Sequence, residues 1–165
     1  MKLALFDIDG YLANDLHRTP FALAKEWADY FRPDRVLADT LYPEGKKQIY
    51  DMIADGWNIA YLTGRREDLR SVTLDWFDLH GLPYGGDIFI QMRPFNDTRV
   101  LADYKLDFVR GLWSGEETVY ELDRLVLFDD DPEVVRVIQE HLGLTFAQGC
   151  AWHTKPAAMV RSAVA

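Results

Sequence analysis

Two carboxylates, Asp7 and Asp9, close the apolar run Leu3-Ala4-Leu5-Phe6 and are followed at once by Gly10. In an extended strand, residues two apart point to the same side, so both acids converge where the strand ends. Two such charges repel each other unless a cation or a shared proton stands between them. The spacing therefore predicts a divalent metal, an acid/base pair, or both. Two further apolar runs end in polar residues. Trp57 to Leu62 gives way to Thr63-Gly64-Arg65, and Arg124 to Phe128 runs into Asp129-Asp130-Asp131. Lys105 lies on a helix that follows the loop from Arg93 to Arg99.

An alternation of strands and helices must position these residues. The first strand is predicted over residues 2 to 7. A helix opens at Thr19-Pro20 with Phe21, Ala24, Ala28 and Phe31 on one face, and a second runs from Glu44 to Asp55 and stops at Gly56. After the strand at Trp57 to Leu62, a third helix turns Leu69, Val72, Trp76 and Leu79 inward and closes at Gly81. A short strand over Asp87 to Gln91 precedes a helix from Thr98 to Trp113. The strand at Arg124 to Phe128 leads to a helix that Asp131-Pro132 starts and Gly143 stops, before a last strand at Leu144 to Phe146. Residues 114 to 123 read as an acidic surface connection, and the chain after residue 154 as a small apolar tail or helix. Strands separated by helices of this length form a parallel sheet with right-handed crossovers. The expectation is an α/β fold, a three-layer sandwich around a central, mainly parallel sheet. It is read as a single domain over residues 1–165, with no insert large enough for a cap domain.

The bulk properties narrow the function. The net charge of −9 argues against stable, non-specific binding of nucleic acid, which needs many cationic phosphate contacts. A small basic pocket on an acidic body stays open. Cys150 is the single cysteine, which rules out an internal disulfide and suits a reducing compartment; it reads as a small buried hydrophobe. No apolar run approaches the ~20 residues needed to cross a bilayer, and Asp7 interrupts any signal-peptide pattern. A soluble cytoplasmic protein with no membrane partner is expected.

Asp7, Asp9, Thr63, Lys105, Asp129 and Asp130, in that chain order, resemble the motifs of the haloacid dehalogenase superfamily of phosphohydrolases. The resemblance covers nearly the whole chain and implies that family's Rossmann-like α/β/α fold. It also implies catalysis through an aspartyl-phosphate. Asp7 would be the nucleophile, Asp9 the general acid/base, and Thr63 and Lys105 the groups that hold and neutralise the transferring phosphoryl. Mg²⁺ would be the cofactor, held by Asp7, Asp9 through its carbonyl, and an acid from Asp129 or Asp130.

The run Met92-Arg93-Pro94-Phe95-Asn96-Asp97-Thr98-Arg99, with His17-Arg18 and Arg65, is similar to the phosphatase domains of phage polynucleotide kinase/phosphatases. That likeness implies removal of a 3′-phosphate from a nucleic-acid end or nucleotide. Arg18, Gly64, Arg65, Arg93 and Arg99 would bind the substrate, since the guanidinium fork matches phosphate oxygens. A 5′-nucleotidase acting on (deoxy)ribonucleoside monophosphates is the enzymatic alternative. A catalytically idle module that only grips phosphate or metal is the non-enzymatic one. Tyr11 stands where that superfamily usually has threonine, and no Gly-x-x-x-x-Gly-Lys-Ser/Thr loop is present; Gly45-Lys46-Lys47 is too short to be one.

Several residues have plainer readings. Asp131 caps the helix behind it, Thr63 and Asp97 can each do the same, and Arg66, Asp68 and Arg70 lie on a solvated helix face. His80 and His141 sit in last helical turns, and His17 is an exposed loop residue. Most of the five tryptophans read as core, with Tyr11 and Trp152 as the aromatics on which a base could stack.

Overall fold

The computed structural model describes residues 1–115, 121–142 and 147–149. Cys150, Trp152, Gly143, the predicted strand at 144–146, residues 116–120 of the acidic connection and the C-terminal tail lie outside them. In chain order the elements are β1 (Lys2–Phe6), β2 (Ala13–Asn14), α1 (Thr19–Leu23), α2 (Trp27–Tyr30), α3 (Pro33–Leu37), β3 (Thr40–Leu41), α4 (Pro43–Ala54) and β4 (Asn58–Arg66). Then come α5 (Arg70–His80), β5 (Ile90–Arg93), α6 (Leu101–Ser114), β6 (Arg124–Asp129), α7 (Pro132–Leu142) and β7 (Ala147–Gly149).

Alternation along the strands builds the layers. Ala4, Phe6, Ile59, Tyr61, Val126 and Phe128 face α4 and α5. Leu3, Leu5, Ala60, Leu62, Leu125 and Leu127 face α6 and α7. A strand apolar on both sides must be covered on both sides, and that requirement places the sheet in the middle. The sheet order is β5-β4-β1-β6-β7, and every pairing described in it is parallel. The order of strand addition reverses at β1: the first crossovers step outward to β4 and β5, and the next returns to β6 on the other side. The carboxyl ends of β1 and β6 therefore flank the crevice where open α/β sheets bind ligands. Among the described residues no large cap covers it.

The region between β1 and β4 departs most from the expectation. Instead of one helix through Phe31 there are three short ones, because Lys25 adopts a left-handed φ of 60° and Pro33 restarts the chain. β2 and β3 pair antiparallel as a small ribbon that the sequence pattern does not announce. In α5 the buried face is Thr73, Trp76 and Phe77 rather than one that includes Leu79, which is 66% exposed. Among the described tryptophans only Trp76 is fully buried; Trp27 and Trp113 are exposed. Tyr11 is buried against Phe6 and Phe128, so no base can stack on it.

Gly45, in the first turn of α4, sits where a side chain has no room. A Cβ there would lie 2.7 Å from the Tyr11 carbonyl oxygen and 3.0 Å from Leu12 Cδ2. A backbone atom cannot swing away, so Gly45→Ala must displace the loop behind Asp9. The expected cost is about 1–3 kcal/mol in urea unfolding; an unchanged midpoint would mean that the loop yields freely.

Candidate active site

Asp7 follows β1 directly, and its N–H donates to the Phe128 carbonyl at 2.9 Å, tying it to β6. Asp129 ends β6 and Asp130 follows it. Oxygens of Asp7, Asp129 and Asp130 lie within 4.8 Å of one another, and all three residues are buried. Lys105 reaches this group from the second turn of α6. Its Nζ lies 2.8 Å from Asp7 Oδ1 and donates to Asp129 Oδ2 at 2.7 Å, and the side chain is fully buried.

Burial pushes the Asp7 carboxyl well above the usual range, and Asp129 and Asp130 add to that while Lys105 opposes it. For Lys105, burial is outweighed by Asp129 and Asp7, which hold the ammonium charged. Three carboxylates face one ammonium, so when ionised they keep an excess of two negative charges. An all-oxygen, anionic donor set of this kind fits a hard divalent cation, and the site can hold a metal ion.

The Asp9 carboxylate is elsewhere. It is not part of the acidic trio. It accepts from Arg18 Nη2 at 2.8 Å, Arg65 Nη2 at 2.7 Å and Arg65 Nε at 3.1 Å. Burial alone would raise its pKa, but Arg65 and Arg18 outweigh that and hold it well below the usual carboxylate range. Asp9 is therefore ionised here, and of the expected metal contacts only its backbone carbonyl remains available to the reading. Arg18 and Arg65 are the partners of Asp9. Both are fully buried and paired with Asp9 and Asp39.

β4 does not stop before Thr63-Gly64-Arg65; it continues through them to Arg66 with a register shift against β5. Such irregularities re-aim side chains at a sheet's end. Thr63 Oγ1 accepts the Arg65 N–H at 3.1 Å instead of capping a helix. Gly64 is half-buried against Leu101 at the start of α6.

Arg93 and Arg99 form a separate rim cluster with Asp97. Arg93 Nη2 donates to the Arg99 carbonyl, and Arg99 pairs with Asp97 and Asp107. The Asp97 carboxylate accepts the Arg99 N–H at 3.0 Å, a local turn rather than the helix cap. Arg99 is 46% exposed, and Arg93 keeps a buried Nε with no hydrogen-bond partner among the described residues.

The helix cap at Asp131 is as expected, with its Oδ1 accepting the Glu133 N–H at 2.9 Å. His141 Nδ1 lies 2.9 Å from the Val137 carbonyl, and His80 packs against Trp76. His17 leans on the Arg35 carbonyl at 3.1 Å and approaches Asp39 at 3.6 Å. Asp39 is the residue that pattern reading misses. No motif contains it. Its one available signal is charge balance, since two buried arginines need more than one carboxylate.

The sheet order and layers are those of a fold shared with solved haloacid dehalogenase-like hydrolases. Among solved structures, a chain of the Pnkp1/Rnl/Hen1 RNA repair complex superposes with a TM-score of 0.66 at 21% identity, over 90% of this chain and 42% of that one. A haloacid dehalogenase-like hydrolase from Streptococcus pneumoniae gives 0.62 at 12% identity, over 99% and 90%. The Class C acid phosphatase from Bacillus anthracis with tungstate bound gives 0.54 at 14%, over 80% and 53%. At these identities the likeness is one of fold, and the chain spans less than half the length of the repair-complex chain it matches. No family model matches the sequence, and no curated protein does. No helix among the described residues is long and apolar enough to cross a membrane.

Proposed function

We propose that this chain is a Mg²⁺-dependent phosphomonoesterase of the haloacid dehalogenase type, acting in the cytoplasm on 3′-phosphates of nucleic-acid ends or nucleotides. The observation that carries the reading is Asp7 beside Asp129 and Asp130 at the tips of adjacent strands, with Lys105 reaching them from α6. An Asp7 oxygen attacks phosphorus, the ester P–O bond breaks, and the leaving oxygen takes a proton from Asp9. Water then attacks the aspartyl-phosphate and gives a proton to Asp9, which frees phosphate and restores Asp7. Lys105 offsets charge on Asp7 as phosphate approaches, and Thr63 with the adjoining backbone holds phosphoryl oxygens. Asp7, an acid from Asp129 or Asp130, and the Asp9 carbonyl would hold a divalent cation, which would supply the remaining neutralisation.

The grip of Arg18 and Arg65 on Asp9 sets a condition on this chemistry. The ionised carboxylate suits the second step, in which it accepts a proton. For the first step it must carry one, so the guanidiniums must loosen as substrate binds. Arg93 and Arg99 lie outside the pairs that hold Asp9, and Arg99 is 46% exposed, so these are the arginines that meet the substrate first. The match to a chain of an RNA repair complex supports a nucleic-acid end over a free metabolite.

The decisive experiment follows phosphate release, with Mg²⁺ or EDTA, from a 3′-phosphorylated oligonucleotide, its 5′ twin, and the 3′- and 5′-mononucleotides. Selective release from 3′-phosphates, abolished by EDTA and lowered about tenfold or more by Arg93→Ala, is expected. Release from 5′-mononucleotides alone would make the chain a nucleotidase. Silence on all four would leave only a phosphate- or metal-gripping module.

A further inference from the structure

Asp39 ends the connection from α3 and precedes β3, outside every strand-tip motif, yet it is fully buried beside the candidate site. Its Oδ1 accepts from Arg18 Nε at 2.8 Å, and its Oδ2 accepts from Arg18 Nη2 at 2.6 Å and Arg65 Nη2 at 3.0 Å. The Asp39 carbonyl in turn accepts the Trp76 indole N–H at 2.8 Å, fixing the residue to α5. The same Nη2 atoms that hold Asp39 also hold Asp9. Two guanidiniums and two carboxylates thus form a charge-balanced buried quartet with one member, Asp9, at the site.

We propose that Asp39 is the positioning residue of this site, holding Arg18 and Arg65 in place against Asp9. The inference rests on the phosphatase reading above. Its physical basis is an asymmetry within the quartet. Arg18 meets Asp39 through a two-point fork but Asp9 through Nη2 alone, whereas Arg65 meets Asp9 through Nε and Nη2 and Asp39 through Nη2 alone. A bidentate contact fixes orientation as well as distance. Asp39 therefore fixes the orientation of Arg18 and adds one contact to Arg65, so Arg18 stays where Asp9 must return after proton transfer. Other contacts assist without replacing it. Arg18 Nη1 donates to the Tyr30 carbonyl at 3.1 Å, and Arg65 Nη1 donates to Thr73 Oγ1 at 3.3 Å.

The test compares wild type, Asp39→Asn and Asp39→Glu, using p-nitrophenyl phosphate turnover, equilibrium binding of inorganic phosphate, and the Nε–H NMR resonances of Arg18 and Arg65. Asp39→Asn removes the charge and keeps the shape. The expected result is a kcat lower by about 10–100-fold, the usual scale for loss of a supporting contact. Phosphate should bind about three- to tenfold more tightly, because the site gains net positive charge, and both arginine resonances should move. Asp39→Glu keeps the charge but shifts the carboxylate. It should fold and bind phosphate like wild type, with kcat still down severalfold. If Asp39 merely supports the fold, Asp39→Asn lowers only the active fraction, with KM, phosphate affinity and arginine resonances unchanged; that result overturns the proposal. Should Asp39→Asn fail to fold, full kcat in Asp39→Glu overturns it equally. Wild type that neither turns over nor binds phosphate sinks the phosphatase reading instead. The arginine resonances then still decide whether Asp39 holds the pair.

Discussion

Asp7→Asn is expected to lower turnover by at least about 10⁴-fold, the scale of losing a nucleophile, while making the metal-free protein more stable. Both effects come from one placement. The carboxylate sits buried, with two further carboxylates within 4.8 Å and one ammonium to offset them. Burial, then Asp129 and Asp130, raise the pKa of Asp7 above its unfolded value despite Lys105. The folded protein therefore binds this proton more tightly than the unfolded chain does. The stability linked to it is present below the ordinary carboxylate pKa and lost as pH rises through the elevated one. At neutral pH the wild type carries that penalty and the asparagine variant does not. In EDTA at pH 7, Asp7→Asn should melt about 2–4 °C higher for each kcal/mol relieved, with the difference shrinking towards pH 4. Added Mg²⁺ should reverse the order, because binding to the native trio stabilises wild type by mass action. A variant that melts lower at pH 7 without metal would mean that Asp7 is held by its partners rather than strained by them. Equal turnover in both proteins would sink the mechanism.

How much of this was legible in the sequence depended on whether the signal was local. The apolar runs at Leu3 to Phe6 and Arg124 to Phe128 marked two strands, and the sheet contains both. The acids past β1 and at the end of β6 could be read because a strand tip followed by a turn is a local pattern. Lys105 could be placed on a helix but not aimed, since its reach to Asp7 depends on how α6 packs on the sheet. Arg18 and Arg65 carried a signal for phosphate, and in the fold they pair with carboxylates. Arginine's fork fits a carboxylate as well as a phosphate, and only the fold brings Asp9 and Asp39 into range. Asp39 itself has no periodicity, motif or spacing to mark it. It arrives through three short helices whose breaks at Lys25 and Pro33 defeat a single helical reading. Leu79 failed for a smaller reason. A shift of the inward stripe onto Thr73 and Phe77 exposes it, and Thr73 is polar enough to be passed over until Arg65 is seen donating to it.

Lys105→Met should abolish activity and, unlike the asparagine change at residue 7, strongly destabilise the fold. Methionine preserves most of the apolar stem, so packing against α6 and the sheet is largely kept. What disappears is the cation 2.8 Å from Asp7 Oδ1 and 2.7 Å from Asp129 Oδ2. Removing one partner of a buried ion pair leaves uncompensated charge and costs about 3–5 kcal/mol. The pKa of Lys105 is raised in the folded state, with Asp129 and Asp7 outweighing its burial. Its stabilisation is therefore fully present at neutral pH and lost only in strong alkali. Below neutrality the variant recovers from the other side. With no ammonium nearby, Asp7 takes up a proton at higher pH still, and a neutral carboxyl needs no counter-charge. Urea unfolding should then show the full deficit at pH 7 and a clearly smaller one near pH 4.5. A loss of about 1 kcal/mol that does not vary with pH, the size of a packing change alone, would make Lys105 a space-filler and leave the acidic trio to be neutralised by metal.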